Sequence, residues 1–326
     1  MIEVSEAAEA LLPKMDGLLF DMDGVLLDIT ESIRRVNCLA VPYYLREVLG
    51  WSAGDDLLTS ADIEMFKNAG GFNDDVELTC AIVLHYIVKE HEHPGTPADT
   101  LNVFKPNLVG YARKIAEGGG GLDVAESICL EHFNYDGRHE INLDYRKRDI
   151  TQIFLELFGG KECAEMYGHA PKRYLGEGFW KFDKPLIDVE RLGRAVSTSP
   201  AKKVGILTGR TSGEANLGLK VAGLHTVVPS TAIVSSDEKH LKPDPRGLRK
   251  LVERLGVKAG IYIGDTRDDF RTVDNYAKAY PDGPPILAAL VLTGPAGDSN
   301  VRLFRKTHAD IVASDVNEIL RWILHE

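Results

Sequence analysis

Apolar residues fall into two rhythms along this chain, and the switches between them outline a fold. Apolar runs at residues 17–20, 204–207 (after Lys203), 260–263 and 286–292 have the length and continuity of strands buried on both faces, as in a parallel sheet. Shorter strand signals stand at Val227, at Ile233 and Val234, and at residues 310–312. Between them, apolar residues recur at helical spacing over residues 188–196, 246–255 and 316–324, and a short helix is expected over residues 6–12. Strands alternating with helices call for a parallel sheet covered on both faces. From about Asp28 strand signals are scarce for roughly 150 residues, more than one connection within a single sheet needs. Residues 31–49, 74–89, 98–117, 123–133 and 149–158 read as helices there, the first interrupted at Pro42. The pattern predicts an α/β fold: a doubly wound parallel sheet from residues 1–28 and 185–326, with an α-helical domain, residues 29–184, inserted after the first buried strand.

The insert carries three stretches rich in turn formers. Gly118-Gly119-Gly120-Gly121 follows no strand, and suits a flexible helix-helix connection better than a phosphate cradle. His91-Glu92-His93-Pro94-Gly95 reads as a solvated turn at a helix end rather than a metal pair. Lys67-Asn68-Ala69-Gly70-Gly71-Phe72-Asn73-Asp74-Asp75 reads as a loop before a helix, with Asn73 or Asp74 as N-cap and glycines that permit close backbone approach. Lys67 and Asn73 are the candidates for substrate contact in this loop. Arg34 and Arg35 are explained equally well as a solvated helix face.

Composition narrows the partners. The chain has 326 residues, long enough for two domains and a sizeable core, and its 44% hydrophobic and 27% charged content is ordinary for a soluble globular protein. A net charge of −11 argues against nucleic acid or an anionic membrane as the main partner, so an anionic substrate must meet locally concentrated positive charge. Cys38, Cys80, Cys129 and Cys163 are scattered, which suggests neither a zinc knuckle nor a disulfide framework. The acidic N-terminus lacks a basic-then-apolar signal and no apolar run is long enough to span a bilayer, so the expected location is the cytoplasm.

Chemistry gathers at the ends of the buried strands, the edge at which open α/β sheets bind ligands. The first strand stops at Asp21-Met22-Asp23-Gly24. Two acids so close repel unless a cation lies between them, which points to a hard divalent metal, although an Asx-type turn explains the pair equally well by itself. The second ends at Thr208-Gly209-Arg210, before a helix opening with Thr211 and Glu214 at capping-box spacing. A hydroxyl and a glycine amide at a helix start suit an anion, and Arg210 is a further candidate for substrate contact. Lys242 precedes Pro243-Asp244-Pro245, a stiff turn into the next helix. The third strand ends at Gly264-Asp265-Thr266-Arg267-Asp268-Asp269.

These four elements, in this order, resemble the haloacid dehalogenase superfamily of phosphohydrolases, with the likeness covering residues 14–30 and 185–326. The resemblance implies a Rossmann-like core, with the helical insert at the position of that family's cap closing over the site. It implies Asp21 as nucleophile and Asp23 as general acid and base. Mg²⁺ would be held by the carboxylates of Asp21 and Asp265 and the backbone carbonyl of Asp23. Thr208, the Gly209 amide and Lys242 would bind the phosphoryl group. The family's second acid, four positions on, falls at Asp269, with Asp268 an adjacent competitor. Asp23 favours phosphatases and phosphomutases over dehalogenases, and a cap here suits a small phosphorylated metabolite; homodimer formation stays open. Hydrolysis of a phosphate monoester through an aspartyl phosphate is the leading expectation. A phosphomutase and a non-catalytic phosphate-binding protein are the alternatives. The Gly-Gly-Phe-Asn segment also resembles a little-characterised subgroup of the family.

Overall fold

The computed structural model describes residues 1–72, 74–294 and 308–326. The chain divides into two compact units: Met1–Thr30, Glu165–Gly168 and Phe182–Glu326 form the first, Glu31–Ala164 and His169–Lys181 the second.

The first unit is built on a sheet of seven strands among the described residues: β1 (Ile2–Val4), β2 (Gly17–Phe20), β5 (Lys203–Leu207), β6 (Ile233–Val234), β7 (Gly260–Gly264), β8 (Ile286–Val291) and β9 (Ile311–Ala313). Their order is β1-β9-β8-β7-β2-β5-β6, parallel except for the edge pairing of β1 with β9. Every residue of β2 is buried, as its unbroken apolar run requires. Strand alternation sends Leu18 and Phe20 to one face, where they share a core with Leu192, Leu219 and Leu320. It sends Leu19 to the other, against Leu248, Leu251, Val273 and Tyr276. Helices Val189–Thr198, Ser212–Val221 and Val316–Leu324 thus cover one side, and Pro245–Leu255 and Arg267–Ala279 the other, a doubly wound α/β layer structure.

One expected strand is absent and three short strands carry no signal in the sequence. Val227 lies outside any strand; its backbone N–H closes a turn onto the Leu224 carbonyl. The edge strand β1 carries too few apolar residues to announce itself, and it exists because Ile2, Glu3 and Val4 pair with β9. A two-stranded antiparallel ribbon, β3 (Leu27–Asp28) with β4 (Lys184–Pro185), joins the chain's exit from this unit to its return. Such short, distant partners leave no periodic signal.

The second unit is helical. Its helix Thr30–Glu47 runs through Pro42 rather than stopping there, because burial of Val36, Ala40, Val41, Tyr44 and Leu45 on one face outweighs the hydrogen bond that proline removes. The pattern over residues 98–117 instead splits into Ala98–Leu101 and Leu108–Glu117, with Pro106 in the break and the Asn102 side chain accepting from the Leu108 N–H at 2.8 Å. Lys67 lies in the last turn of a helix, Ser60–Ala69, rather than in a loop. The glycine run is no slack connection. Gly121 N–H donates to the Gly70 carbonyl at 3.0 Å, and a β-carbon on Gly71 or Gly120 would collide with the opposing backbone. Both glycines also have φ in the left-handed region, so Gly71 and Gly120 seat the two turns backbone against backbone with no room for a side chain on either.

Glu156 organises the other end of this unit. Its side chain is buried, and the carboxylate accepts hydrogen bonds from the N–H groups of Lys172, Arg173 and Tyr174 at 2.8–2.9 Å and from Gln152. Burial raises its pKa, but these donors outweigh burial and leave it below the ordinary glutamate value. A depressed carboxylate stabilises the fold above the unfolded-state pKa, and that contribution is lost as the pH falls through the folded value. Glu156→Gln should cost about 2 kcal/mol in urea unfolding at neutral pH, with the deficit shrinking in acid. An undiminished deficit at acidic pH would show that charge is not the cause.

Candidate active site

Parallel pairing brings the strand ends together. Phe20 pairs with Ile206 on one side and Ile263 on the other, so Asp21, Thr208 and Asp265 emerge at neighbouring positions on the carboxyl edge of the sheet. All three are buried. Asp21 is tied to β7 by its N–H to the Ile263 carbonyl at 2.8 Å, and its Oδ1 accepts from the Met22 N–H at 2.8 Å. Thr208 N–H donates to Val234 at 3.0 Å, while its hydroxyl accepts from the Arg210 N–H at 3.1 Å. A β-carbon on Gly209 would meet no described atom within 4 Å, so its backbone borders open space.

Lys242 supplies the local positive charge. Its Nζ lies 2.7 Å from an oxygen of Asp21 and 2.7 Å from one of Asp269. Burial disfavours the ammonium, yet the two carboxylates more than offset this and hold its pKa well above the ordinary lysine value.

Capping gives the two adjacent acids different positions. Thr266 is the N-cap of helix Arg267–Ala279, which makes Asp269 the third helical residue and the reciprocal partner in a capping box. Asp269 is buried and accepts from Lys242, the Tyr262 hydroxyl, the Asp265 N–H and both the N–H and hydroxyl of Thr266. Burial alone would raise its pKa; Lys242 and Thr266 bring it below the ordinary value. Asp268 points elsewhere, pairing with Arg271 at 3.3 Å with its side chain 37% exposed.

Asp265 is the contrasting case. Its Oδ1 is buried without a hydrogen-bond partner, and a β-carbon on Gly24 or Gly294 would collide with its carboxylate. Oxygens of Asp21, Asp265 and Asp269 lie within 4.8 Å of one another. Burial first, then the neighbouring acids, raises Asp265 well above the ordinary aspartate value, and the same causes raise Asp21 to about 7 against the pull of Lys242. Crowded, desolvated carboxylates with an orphaned oxygen and glycine walls fit a small, hard divalent cation bound through oxygen.

Asp23 faces another partner. Its side chain, 32% exposed, pairs with Arg210, whose Nε donates to Asp23 Oδ1 at 2.8 Å. The same guanidinium donates to Asp183 at 2.8 Å, and Asp183 has no exposed side-chain surface. The sequence reading missed Asp183; standing between Phe182 and Lys184 just before β4, it follows no strand-end pattern. Tyr262 and Gly294 were missed too, one hidden in an apolar run and the other marked only by its place after β8.

Lys67 belongs to the second unit. Lys67 Nζ is 2.8 Å from Asp75 and donates to the Phe72 carbonyl at 3.3 Å, so the cation braces the turn that follows its helix. Asn73 lies outside the described residues, and the N-cap of helix Asp75–Glu92 is Asp74, whose carboxylate accepts from the Val76 N–H. His93 caps the far end of that helix, its ring stacked on Phe104 with centroids 3.7 Å apart.

A haloacid dehalogenase-like hydrolase family model matches residues 15–272. Over 161 residues the chain is 24% identical to the pyrophosphatase PpaX of Bacillus velezensis, a stretch covering 46% of this chain and 72% of that protein. Phosphatase Tt82 from Thermococcus thioreducens superposes with a TM-score of 0.60 at 24% identity, covering 95% of this chain and 99% of the other. An X-ray structure from the Northeast Structural Genomics Consortium superposes with a TM-score of 0.70 at 16% identity, covering 95% and 98%. The two superpositions extend the likeness in fold over nearly the whole chain, and the family match spans all four strand-end elements, leaving β1, β8 and β9 outside it. The chain belongs to the haloacid dehalogenase-like hydrolases.

Proposed function

We propose that the protein is a Mg²⁺-dependent phosphatase that hydrolyses a small-molecule phosphate monoester through an aspartyl phosphate on Asp21. The observation that carries this reading is a buried carboxylate, Asp21, bridged by Lys242 to a second acid and flanked on adjoining strands by Thr208 and Asp265. Asp21, Asp265 and the backbone carbonyl of Asp23 would hold the ion, with Asp269 buttressing Lys242 and the Asp265 turn. When bound, Mg²⁺ supplies charge neutralisation that lets an anionic nucleophile meet an anionic phosphoryl group.

The chain's own groups account for the rest. Asp21 Oδ attacks phosphorus; the bond from phosphorus to the ester oxygen breaks, and its electron pair stays on that oxygen. Asp23 gives this oxygen a proton, so the alcohol leaves neutral. Lys242, the Thr208 hydroxyl and the Gly209 amide hold the phosphoryl oxygens. Asp23, now a carboxylate, takes a proton from water as the water oxygen attacks phosphorus, and Asp21 is released with inorganic phosphate.

The test is a panel of phosphate esters, with pyrophosphate included because of the likeness to PpaX, assayed for free phosphate with Mg²⁺ and with chelator. Metal-dependent release of phosphate from a monoester is expected. Transfer to another hydroxyl of the same sugar, without phosphate release, would make the protein a mutase, and no turnover of any ester would overturn the reading.

A further inference from the structure

We propose that Arg210, backed by the buried Asp183, is a positioning residue that fixes the carboxyl group of Asp23 for proton transfer to the leaving group. The inference rests on the phosphatase reading of the same site. Asp23 lies beyond the buried end of β2, with part of its side chain exposed, and a short acid there has several rotamers open to it. Arg210 removes that freedom. Its Nε and one terminal nitrogen both reach Asp23 at 2.8 Å, while the guanidinium also binds Asp183 at 2.8 Å. Both donors converge on Oδ1 of Asp23, so that one oxygen is pinned by two fixed donor directions and Oδ2 is left to carry the proton, a placement that a single lysine ammonium does not define.

Arg210 is itself immobilised. It is 7% exposed; its backbone N–H binds the Thr208 hydroxyl, and its carbonyl accepts from the Ser236 N–H at 2.9 Å. Asp183 gives the guanidinium a second carboxylate, so a charge this deeply buried does not depend on Asp23 alone. Asp183 also stands next to β4, which pairs with β3 a few residues after Asp23. The three side chains therefore join the two connecting segments of this unit at the acid. In this arrangement the guanidinium is committed to carboxylates of the chain, and its contribution to turnover is orientation of the acid rather than capture of the substrate's phosphoryl group.

Leaving-group dependence separates these roles. An alkyl phosphate needs a proton on the departing oxygen, whereas a dinitrophenyl phosphate leaves readily as the anion. Arg210→Gln should lower kcat for the alkyl ester about 100-fold, the scale of a general-acid contribution, with KM little changed and the activated ester nearly unaffected. Arg210→Lys keeps a charge against both acids and guards against simple unfolding; it should show the same selective loss in smaller measure. Equal losses on both esters, or a rise in KM as the main effect, would overturn the inference and make Arg210 a phosphoryl-binding group. If the parent protein turns over neither ester, the phosphatase reading itself fails. The positioning of Asp23 by Arg210 is then decided separately by a crystal structure of Arg210→Gln: a displaced Asp23 side chain supports it, and an unmoved one overturns it.

Discussion

Asp21→Asn should abolish turnover while leaving the fold intact and, in chelator near neutral pH, more stable than the parent. The kinetic loss follows from removing the attacking oxygen, for which an amide is no substitute; a fall of roughly 10⁴-fold or more in kcat is expected, with the residue due to neighbouring groups. The gain in stability follows from electrostatics. Burial, and next the acids around it, raise the pKa of Asp21 to about 7 despite Lys242. A raised carboxyl pKa means that the folded protein holds a proton which the unfolded chain has released. Stability therefore falls as the pH rises from the ordinary aspartate value towards about 7, the reverse of the behaviour of Glu156. The Asn variant should lose that part of the slope. Mg²⁺ should raise the melting temperature of the parent at neutral pH and do much less for the variant. Thermal melts from about pH 4 to 8, with metal and with chelator, read both effects. Retained activity in Asp21→Asn would remove the nucleophile from the mechanism, and an unchanged pH slope would remove Asp21 as the source of that pH dependence.

What the sequence disclosed, and what it hid, follows from the range of the forces involved. Buried strands show themselves because burial on both faces demands an unbroken apolar run, as in β2, where all four residues are inside. Strand-end chemistry was legible for the same reason, since a polar residue closing such a run can only lie at the sheet's edge. Asp21, Thr208 and Asp265 were found that way. Which of Asp268 and Asp269 faces inward was open in sequence, although Thr266 at capping-box spacing carried the signal: the box turns Asp269 inward and leaves Asp268 on the outer side of the helix. Asp183 was invisible because its partner is Arg210, 27 positions away, and ion pairs at that separation leave no periodicity. The joint between Gly70–Gly71 and the glycine run failed for a related reason. Glycine marks a backbone that needs space, and only the fold tells whether the space belongs to solvent or to another backbone.

Lys242→Met is expected to damage stability and catalysis together, and the two effects have one cause. The ammonium lies 2.7 Å from both Asp21 and Asp269, with only 14% of its side chain exposed. A methionine of similar length fills the space, so the change is chiefly the loss of charge, and it leaves two desolvated carboxylates facing each other. Breaking a buried pair in this way costs roughly 3–5 kcal/mol in the metal-free protein at neutral pH. Without the lysine the remaining acids hold protons more tightly, so the deficit should shrink as the pH falls and those protons are taken up. Asp269→Asn in the Lys242→Met background removes one of the unpaired charges and should recover part of the stability. It should recover no activity, because the phosphoryl oxygens still lack their cation. Loss of that one electrostatic contact should lower kcat by about 100- to 1000-fold. Urea unfolding of the single and double variants at neutral and acidic pH, beside steady-state kinetics with Mg²⁺, reads both effects. Additive destabilisation in the double variant would show that Asp269 is held by the Tyr262 hydroxyl and Thr266 rather than by Lys242, and unchanged kcat would place the phosphoryl-binding cation elsewhere.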